Sequence, residues 1–187
     1  IFMRTTKETT KLYKKLIIDE FDSFLKDVAF KKIRYQAHDD GFSIIYRREE
    51  RYVLFRGSLD FRDFPYSYDI ILGNGSHSFP EGDWNAIALW RIIRDNSKED
   101  YEKYNIISSI NLNDSISQIA EKIKASRELL EEYGEKFLNN NLVEFQAVRS
   151  VQNKGREPYK IYSPDKDGKY KMQYEEISSR LKEKYSK

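Results

Sequence analysis

The spacing of apolar residues changes from a helical to a strand period early in this chain, and this change limits the possible folds. Between residues 7 and 29, apolar side chains recur every three to five positions, which is typical of an amphipathic helix. From Phe30 to Leu72 the period is two, and short polar segments separate the apolar runs. Short connections join antiparallel strands, because a parallel return needs about a dozen residues or more. This part of the chain therefore predicts a helix followed by an antiparallel meander.

Four strands are predicted in the meander. The first two are separated by a turn at 38–41, and a charged turn at 47–50 precedes the third. The third strand, within 51–61, is apolar on both faces in its middle, which indicates a central strand, and Gly57 indicates a bulge near its end. The fourth strand lies at 66–72. One face of the strands is expected to form the core: Ile33, Tyr35, Ile44, Tyr46, Tyr66, Tyr68 and Ile70.

Helical patterns dominate the rest of the chain. Apolar residues fill eight of the ten positions from Trp84 to Ile93, which predicts a buried helix with Asp83 as its N-cap. The longest helical pattern runs from Asn111 to Leu138, and Ser115 with Gln118 has the spacing of a capping box. A further short helix or strand is expected at 139–152.

These elements predict an α+β fold: a four-stranded antiparallel meander packed against an N-terminal helix and a C-terminal helical half. We assign residues 1–152 to a single domain and residues 153–187 to a C-terminal appendage. The appendage is expected to hold a loop or small hairpin that turns at Asp167–Gly168, followed by a charged helix. A chain of 187 residues can bury roughly 70% of its unfolded surface, so it needs no metal or disulfide to fold.

Composition excludes several classes of function. Because the chain has no cysteine, a disulfide scaffold, a zinc–thiolate site and a cysteine nucleophile are excluded. The 33 basic and 31 acidic side chains nearly balance, so net charge gives no strong field to attract a polyanion. No apolar run approaches the ~20 residues of a membrane span, and the N-terminal residues lack the apolar centre of a signal peptide. We therefore expect a soluble cytoplasmic protein.

The loop before Trp84 partly resembles a phosphate-binding turn. Gly73-Asn74-Gly75 has the start of such a turn, but the dinucleotide motif needs a third glycine where Ser78 stands, and the P-loop Gly-Lys-Ser/Thr is absent. A structural interpretation explains more residues, because Ser78 and Glu81 have capping-box spacing. Only His77 is left without a role.

No other motif supports catalysis or metal binding. His38-Asp39-Asp40 precedes a glycine in a predicted turn and lacks the further histidines of a metal-dependent phosphohydrolase. The acidic segment at 163–176 fails as a calcium loop, because Tyr170 stands where glycine is required. The serine-hydrolase G-x-S-x-G pattern is absent as well. We expect no catalytic residue, no metal site and no cofactor.

Charges of both signs lie beside aromatic residues on the predicted polar face of the sheet. Such a mixed surface suits a protein partner better than a phosphate backbone. We predict that this face and the loop at 74–83 bind another protein. The candidate contacts are Arg47, Arg56, Asp60, Asp63, His77 and Asp83.

The segments FLKDVAFKK (24–32) and LGNGSHSFPEGDWNAIALWRII (72–93), in this order of elements, carry a resemblance to known proteins. Over residues 7–148 the chain resembles small uncharacterised bacterial α+β proteins that include candidate immunity proteins of toxin systems. The resemblance implies a non-catalytic binder that neutralises a toxin or effector by covering its site. The alternatives are a nucleic-acid-binding or nucleic-acid-processing protein of phage or defence origin and, third, an enzyme with a non-obvious site.

Overall fold

An N-terminal helix packs on one face of an antiparallel sheet, and further helices complete the core. The structure of the protein, a computed structural model, describes residues 4–75, 84–156, 162–164 and 166–172. The strands are β1 Lys31–Ala37, β2 Gly41–Arg48, β3 Arg51–Ser58, β4 Ser67–Asn74, β5 Ala86–Ala88, β6 Tyr162–Pro164 and β7 Tyr170–Met172. The helices are α1 Thr6–Asp27, α2 Leu89–Asn96, α3 Lys98–Ile107, α4 Ile116–Leu138 and α5 Val143–Asn153.

The main sheet has five strands in the order β1-β2-β3-β4-β5, and each strand is antiparallel to its neighbours. The α+β class and the antiparallel meander are thus confirmed, but the predicted number of four strands is wrong. The additional strand is β5, which pairs with only three residues of β4, Ile71 to Gly73.

The fifth strand corrects the prediction of one helix from Trp84 to Ile93. The segment divides into β5 and α2, and α2 begins at Leu89. Its N-cap is Ala88, which makes no side-chain capping bond, so Asp83 is not the N-cap of this helix. A segment that is apolar at nearly every position carries no period, and therefore does not distinguish a strand from a buried helix.

Helix α1 confirms the predicted N-terminal helix. Thr5 and Glu8 form a capping box at its start, in which each side chain accepts a bond from the other residue's backbone N–H. Its buried face repeats every four residues and packs against the sheet. The fully buried residues of this face include Tyr13, Ile17, Phe21 and Leu25.

The C-terminal half is helical, as predicted. The capping box of α4 is confirmed: Ser115 Oγ accepts from the Gln118 N–H at 3.2 Å, and Gln118 Oε1 accepts from the Ser115 N–H at 2.7 Å. The segment after α4 forms helix α5, which settles the open choice between helix and strand. Side chains at the end of α5 hold the β5 segment, because Gln152 and Asn153 donate to the backbone oxygens of Ala86 and Trp84.

The core face of the sheet carries aromatic and branched residues in register across β2, β3 and β4. Gly57 does not mark a bulge, since the pairing of β3 is regular on both sides. A Cβ atom at Gly57 would lie 2.4 Å from the Phe42 ring, so glycine here makes room for phenylalanine. The registered rows are Phe42, Gly57 and Tyr68; Ile44, Phe55 and Ile70; and Tyr46, Val53 and Leu72.

Strand β1 departs from the predicted core. The irregular pairing lies here, between Lys32 and Arg34, and it displaces Ile33 from the ladder. Ile33 is 48% exposed and Tyr35 is 56% exposed, whereas Tyr46 and Tyr68 are buried as expected. The alternation predicts the strand correctly, but β1 is an edge strand and its outer side chains are only partly covered.

Two segments lie beyond α5 in the described part of the chain. Strands β6 and β7 pair with each other and enclose Asp167 and Gly168, so the predicted small hairpin is confirmed. Gly168 has a φ of +75°, which favours glycine. The predicted final helix, Ser78 and Glu81 lie outside the described residues. The predicted boundary between the domain and the C-terminal appendage, at residues 152 and 153, stays a prediction.

Candidate binding site at the β3–β4 loop

The loop between β3 and β4 is held by its own charged side chains. A 3₁₀ turn spans Phe61–Asp63, and Asp60 caps it by accepting from the Arg62 N–H at 2.9 Å. The Arg62 guanidinium also binds both oxygens of Asp60, at 2.9 and 2.6 Å. These bonds to Arg62 lower the pKa of Asp60 to about 2. Ser58 Oγ donates to Asp63 at 2.6 Å. The turn is therefore fixed at both ends.

Two large apolar side chains project from this loop into solvent. Phe61 is 81% exposed and Phe64 is 74% exposed. The Phe64 ring stands edge-on to the Tyr66 ring with centroids 5.5 Å apart, and the Arg62 guanidinium lies 5.8 Å from the Phe61 ring centroid. Single exposed apolar residues are ordinary, but two aromatic rings three positions apart on a fixed loop form a patch of the kind used in protein interfaces.

A cavity of about 250 Å³ opens beside this patch. Its volume is below the ~300 Å³ at which pockets for drug-sized ligands begin, so it fits one side chain or a small molecule. Phe64 precedes the lining residue Pro65, and the exposed Ile106 follows the lining residue Asn105. The lining residues are Pro65, Tyr66, Ser67, Asp69, Trp90, Tyr101, Tyr104, Asn105, Ser108 and Ser109.

The cavity lies where the outer edge of β4 changes its bonding partner. Towards one end of β4, Ser67 forms a bridge with Ser109, and the Tyr68 N–H donates to the Ser108 carbonyl at 3.0 Å. Towards the other end, pairing with β5 begins at Ile71. Between them the Tyr104 hydroxyl accepts from the Ile70 N–H at 3.1 Å. The Tyr104 side chain thus takes the place of a neighbouring strand at Ile70, and the cavity lies beside it.

Asp69 is the charged residue of this space. It is partly buried, and it has no hydrogen-bond or ion-pair partner among the described residues. Burial raises the pKa of Asp69 above the ordinary value, although the positive charge of its cross-strand neighbour Arg56 acts in the opposite direction. Burial, together with the nearby charge of Asp69, raises the pKa of Tyr104 well above its ordinary range. Perturbed acids in cavities mark candidate functional sites.

Three of the residues chosen from the sequence lie on β3 or in the β3–β4 loop. Arg56 is exposed and lies opposite Asp69 on the sheet, and Asp60 and Asp63 belong to the adjoining loop. Arg47 lies at the opposite end of β2, where it donates to the carbonyls of Glu49 and Gly75 and contacts the Tyr52 ring. The remaining two, His77 and Asp83, lie outside the described residues.

Sequence reasoning missed the two phenylalanines and the cavity. The signal for the phenylalanines was the segment FRDFPY, in which aromatic residues stand inside a charged connection rather than in strand alternation. The cavity left no local signal. It depends on contacts between β4 and residues about 20 to 40 positions later in the chain.

A second concavity has a different character. A groove of about 480 Å³ between α1 and α4 has Phe24, Val28 and Leu138 on its apolar surface. Four glutamates of α4 surround it, of which Glu131 is paired with Arg127. Within the described residues the others form no ion pair. They are Glu128, Glu132 and Glu135.

Comparison of the chain with protein-family models, with curated proteins and with solved structures gave no match. Within the described part of the chain, no helix combines the length and apolar character needed to cross a membrane.

Proposed function

We propose that this protein is a non-catalytic protein-binding domain of the bacterial cytoplasm, and that the β3–β4 loop is its main contact surface. The observation that carries the proposal is the pair of exposed phenylalanines, Phe61 and Phe64, on a loop fixed by the Asp60–Arg62 bonds. A fixed loop loses little conformational freedom on binding, so more of the contact energy remains as affinity.

The composition of this surface supports a protein partner. Aromatic residues and arginine are enriched at interfaces, and burying one phenylalanine completely contributes roughly 1.5–3 kcal/mol. The adjoining cavity offers a pocket of the kind that receives an anchoring side chain. By resemblance, the partner is a toxin or effector enzyme, which this protein inhibits by covering its surface.

Nucleic acid is the second candidate, and the geometry favours it less. Arg62 is already paired with Asp60. The acidic groove on α4 would repel a phosphate backbone that extended over that part of the protein. Protein binding uses the exposed rings directly, whereas nucleic-acid binding would need free cations in a row.

The test is partner capture with a matched pair of variants. The wild-type protein, the Phe61→Ser/Phe64→Ser variant and the Val143→Ser/Val151→Ser variant are used as baits in native lysate. Val143 and Val151 on α5 are 74% and 75% exposed, which matches the phenylalanines in exposure at a different place. The captured protein is then purified, and its dissociation constant is measured for all three baits.

We expect one stoichiometric protein whose affinity falls at least about 100-fold with the phenylalanine variant, since two buried rings are lost. The valine variant should bind like the wild type. Equal binding by all three baits would place the interface elsewhere, and recovery of nucleic acid instead of protein would overturn the proposal. Circular dichroism checks that each variant is folded.

A further inference from the structure

The cavity beside the β3–β4 loop has the properties of a cation site. We propose that it binds an organic cation, an alkylammonium or guanidinium group no larger than a lysine or arginine side chain, with Asp69 as its counter-ion. The inference rests on the proposed function only where the cation belongs to a protein partner, because a free amine would use the same cavity.

Charge selects the class of ligand. Among the described residues that line the cavity, Asp69 is the only one that is charged at neutral pH. Its carboxylate has no hydrogen-bond or ion-pair partner within the described residues, although Arg56 lies opposite it on the sheet. An anion would be repelled here, and a neutral apolar ligand would leave the carboxylate unpaired.

The walls strengthen this preference. Tyr66, Trp90 and Tyr101 are partly buried aromatic residues that line the cavity, and the negative faces of such rings attract cations. Because the Arg91 and Arg94 guanidiniums already lie 4.5 Å and 5.4 Å from the Trp90 ring centroid, Tyr66 and Tyr101 are the aromatic walls without a cation contact among the described residues. Aromatic walls also exclude water, which increases the attraction between a carboxylate and a cation.

The remaining lining groups suit the N–H donors of the ligand. Ser67, Ser108 and the amide of Asn105 offer oxygen acceptors at the same cavity. An ammonium has three N–H bonds, and one carboxylate seldom satisfies all of them. The cavity therefore supplies one negative charge and several neutral acceptors, enough for the N–H donors of an ammonium or guanidinium group.

Asp69 is also costly to the free protein. A partly buried carboxylate without a partner lowers stability, and residues of this kind are concentrated at functional sites. A bound cation would supply the missing partner. The other described residues that line the cavity carry no charge at neutral pH.

The cavity can be tested without any partner, by NMR titration of the whole chain. The probes are N-acetyl-lysine methylamide and its neutral counterpart N-acetyl-norleucine methylamide, and agmatine represents free cations. The indole N–H signal of Trp90 reports on the cavity, and that of Trp84, which does not line it, is the internal reference.

We expect both cations to shift the Trp90 signal and the norleucine compound to have at least about tenfold lower affinity. Asp69→Asn should reduce cation affinity by at least about tenfold, since one charge-assisted bond is lost. Glu99→Gln, which removes an exposed acid of α3 outside the cavity, should leave it unchanged. Micromolar binding of agmatine would identify a free amine as the ligand, and millimolar binding of both cations would identify a side chain of a larger partner.

Equal binding of the norleucine compound, unchanged binding to Asp69→Asn, or no shift with either cation would each overturn the proposal. These outcomes differ from failure of the proposed function, which is measured with Phe61 and Phe64. Neither phenylalanine lines the cavity. The norleucine comparison on the wild-type protein needs no variant, so it decides the question even if Asp69→Asn folds poorly.

Discussion

At the scale of single residues, two charged side chains of the sheet differ in whether hydrogen bonds compensate their burial. Arg51 is only 2% exposed, yet its Nη1 donates to the carbonyls of Phe137 and Leu138, both at 2.7 Å. Asp69 has no such partner among the described residues. A buried charge with hydrogen bonds can hold a structure together, whereas one without them is a cost. Arg51 is therefore structural, and Asp69 is a candidate for function.

The cost at Asp69 predicts a stability change with a defined pH dependence. Burial raises the pKa of Asp69 in the folded protein above its ordinary value of 3.8. As pH rises between these two values, the unfolded chain releases its proton first, so the free energy of unfolding falls. Asparagine carries no such proton. The stability of Asp69→Asn relative to the wild type should therefore grow as pH rises from about 4 towards 7.

Urea unfolding of both proteins across this pH range measures the effect. Tyr104, whose pKa is raised well above its ordinary range, stays protonated across this range, and the other titrating groups are common to both proteins and cancel in the difference. A wild type that gains stability over Asp69→Asn with rising pH would contradict the prediction. It would mean that the carboxylate is favourably paired in the folded protein.

At the scale of elements, Arg51 connects β3 to the C-terminal end of α4. The last carbonyls of a helix lack partners within the helix and carry partial negative charge, and a guanidinium satisfies both needs. Arg51→Met keeps most of the volume but removes these bonds. Bonds to charged groups contribute roughly 1.5–3 kcal/mol each, but methionine also removes the cost of burying the charge, so we expect the free energy of unfolding to fall by about 2–4 kcal/mol.

Arg34→Met is the matched control, since Arg34 is an exposed arginine of strand β1 in the same sheet. Its stability should lie within about 0.5 kcal/mol of the wild type. Chemical denaturation followed by tryptophan fluorescence gives both values. If the two variants were equally stable, the bonds from Arg51 to α4 would have no net effect on the fold.

The elements that were predicted correctly are those with local signals. Helix α1 has a clear period, and the α4 capping box needs only Ser115 and Gln118, three positions apart. The prediction of one helix over the β5–α2 segment was wrong, because burial on all sides removes the periodicity of the apolar residues. The predicted burial of Tyr35 was wrong for another reason. Its strand pairing was predicted, but its coverage depends on how far α1 extends over the edge of the sheet.

The same distinction applies to the candidate site. Charges of both signs near each other in the sequence indicate Arg56, Asp60 and Asp63, and the structure places these residues on β3 and in the β3–β4 loop. Asp69 lines a cavity only because α3 packs beside β4, where the Tyr104 hydroxyl takes the place of a neighbouring strand. Contacts between distant parts of the chain create the cavity, so neither composition nor spacing indicates it.

At the scale of the whole molecule, the near-balanced charge of the sequence hides an uneven distribution. The formal net charge is only +2, but α4 places four glutamates around one groove. The β3–β4 loop instead combines two phenylalanines with charges of both signs. The acidic side and the loop therefore present different surfaces to a partner, and the exposed phenylalanines of the described residues lie at the loop.

This distribution predicts how the complex responds to salt. A protein partner held by Phe61, Phe64 and one cation in the cavity would lose a single screened ion pair, and burial protects even that pair. We expect its dissociation constant to change by less than about tenfold between about 50 and 200 mM salt. A nucleic acid held by six to ten phosphate contacts would lose roughly 10³- to 10⁵-fold over the same interval. Calorimetry of the purified complex at several salt concentrations therefore separates the two candidate functions, and a steep, linear loss on logarithmic axes would favour nucleic acid.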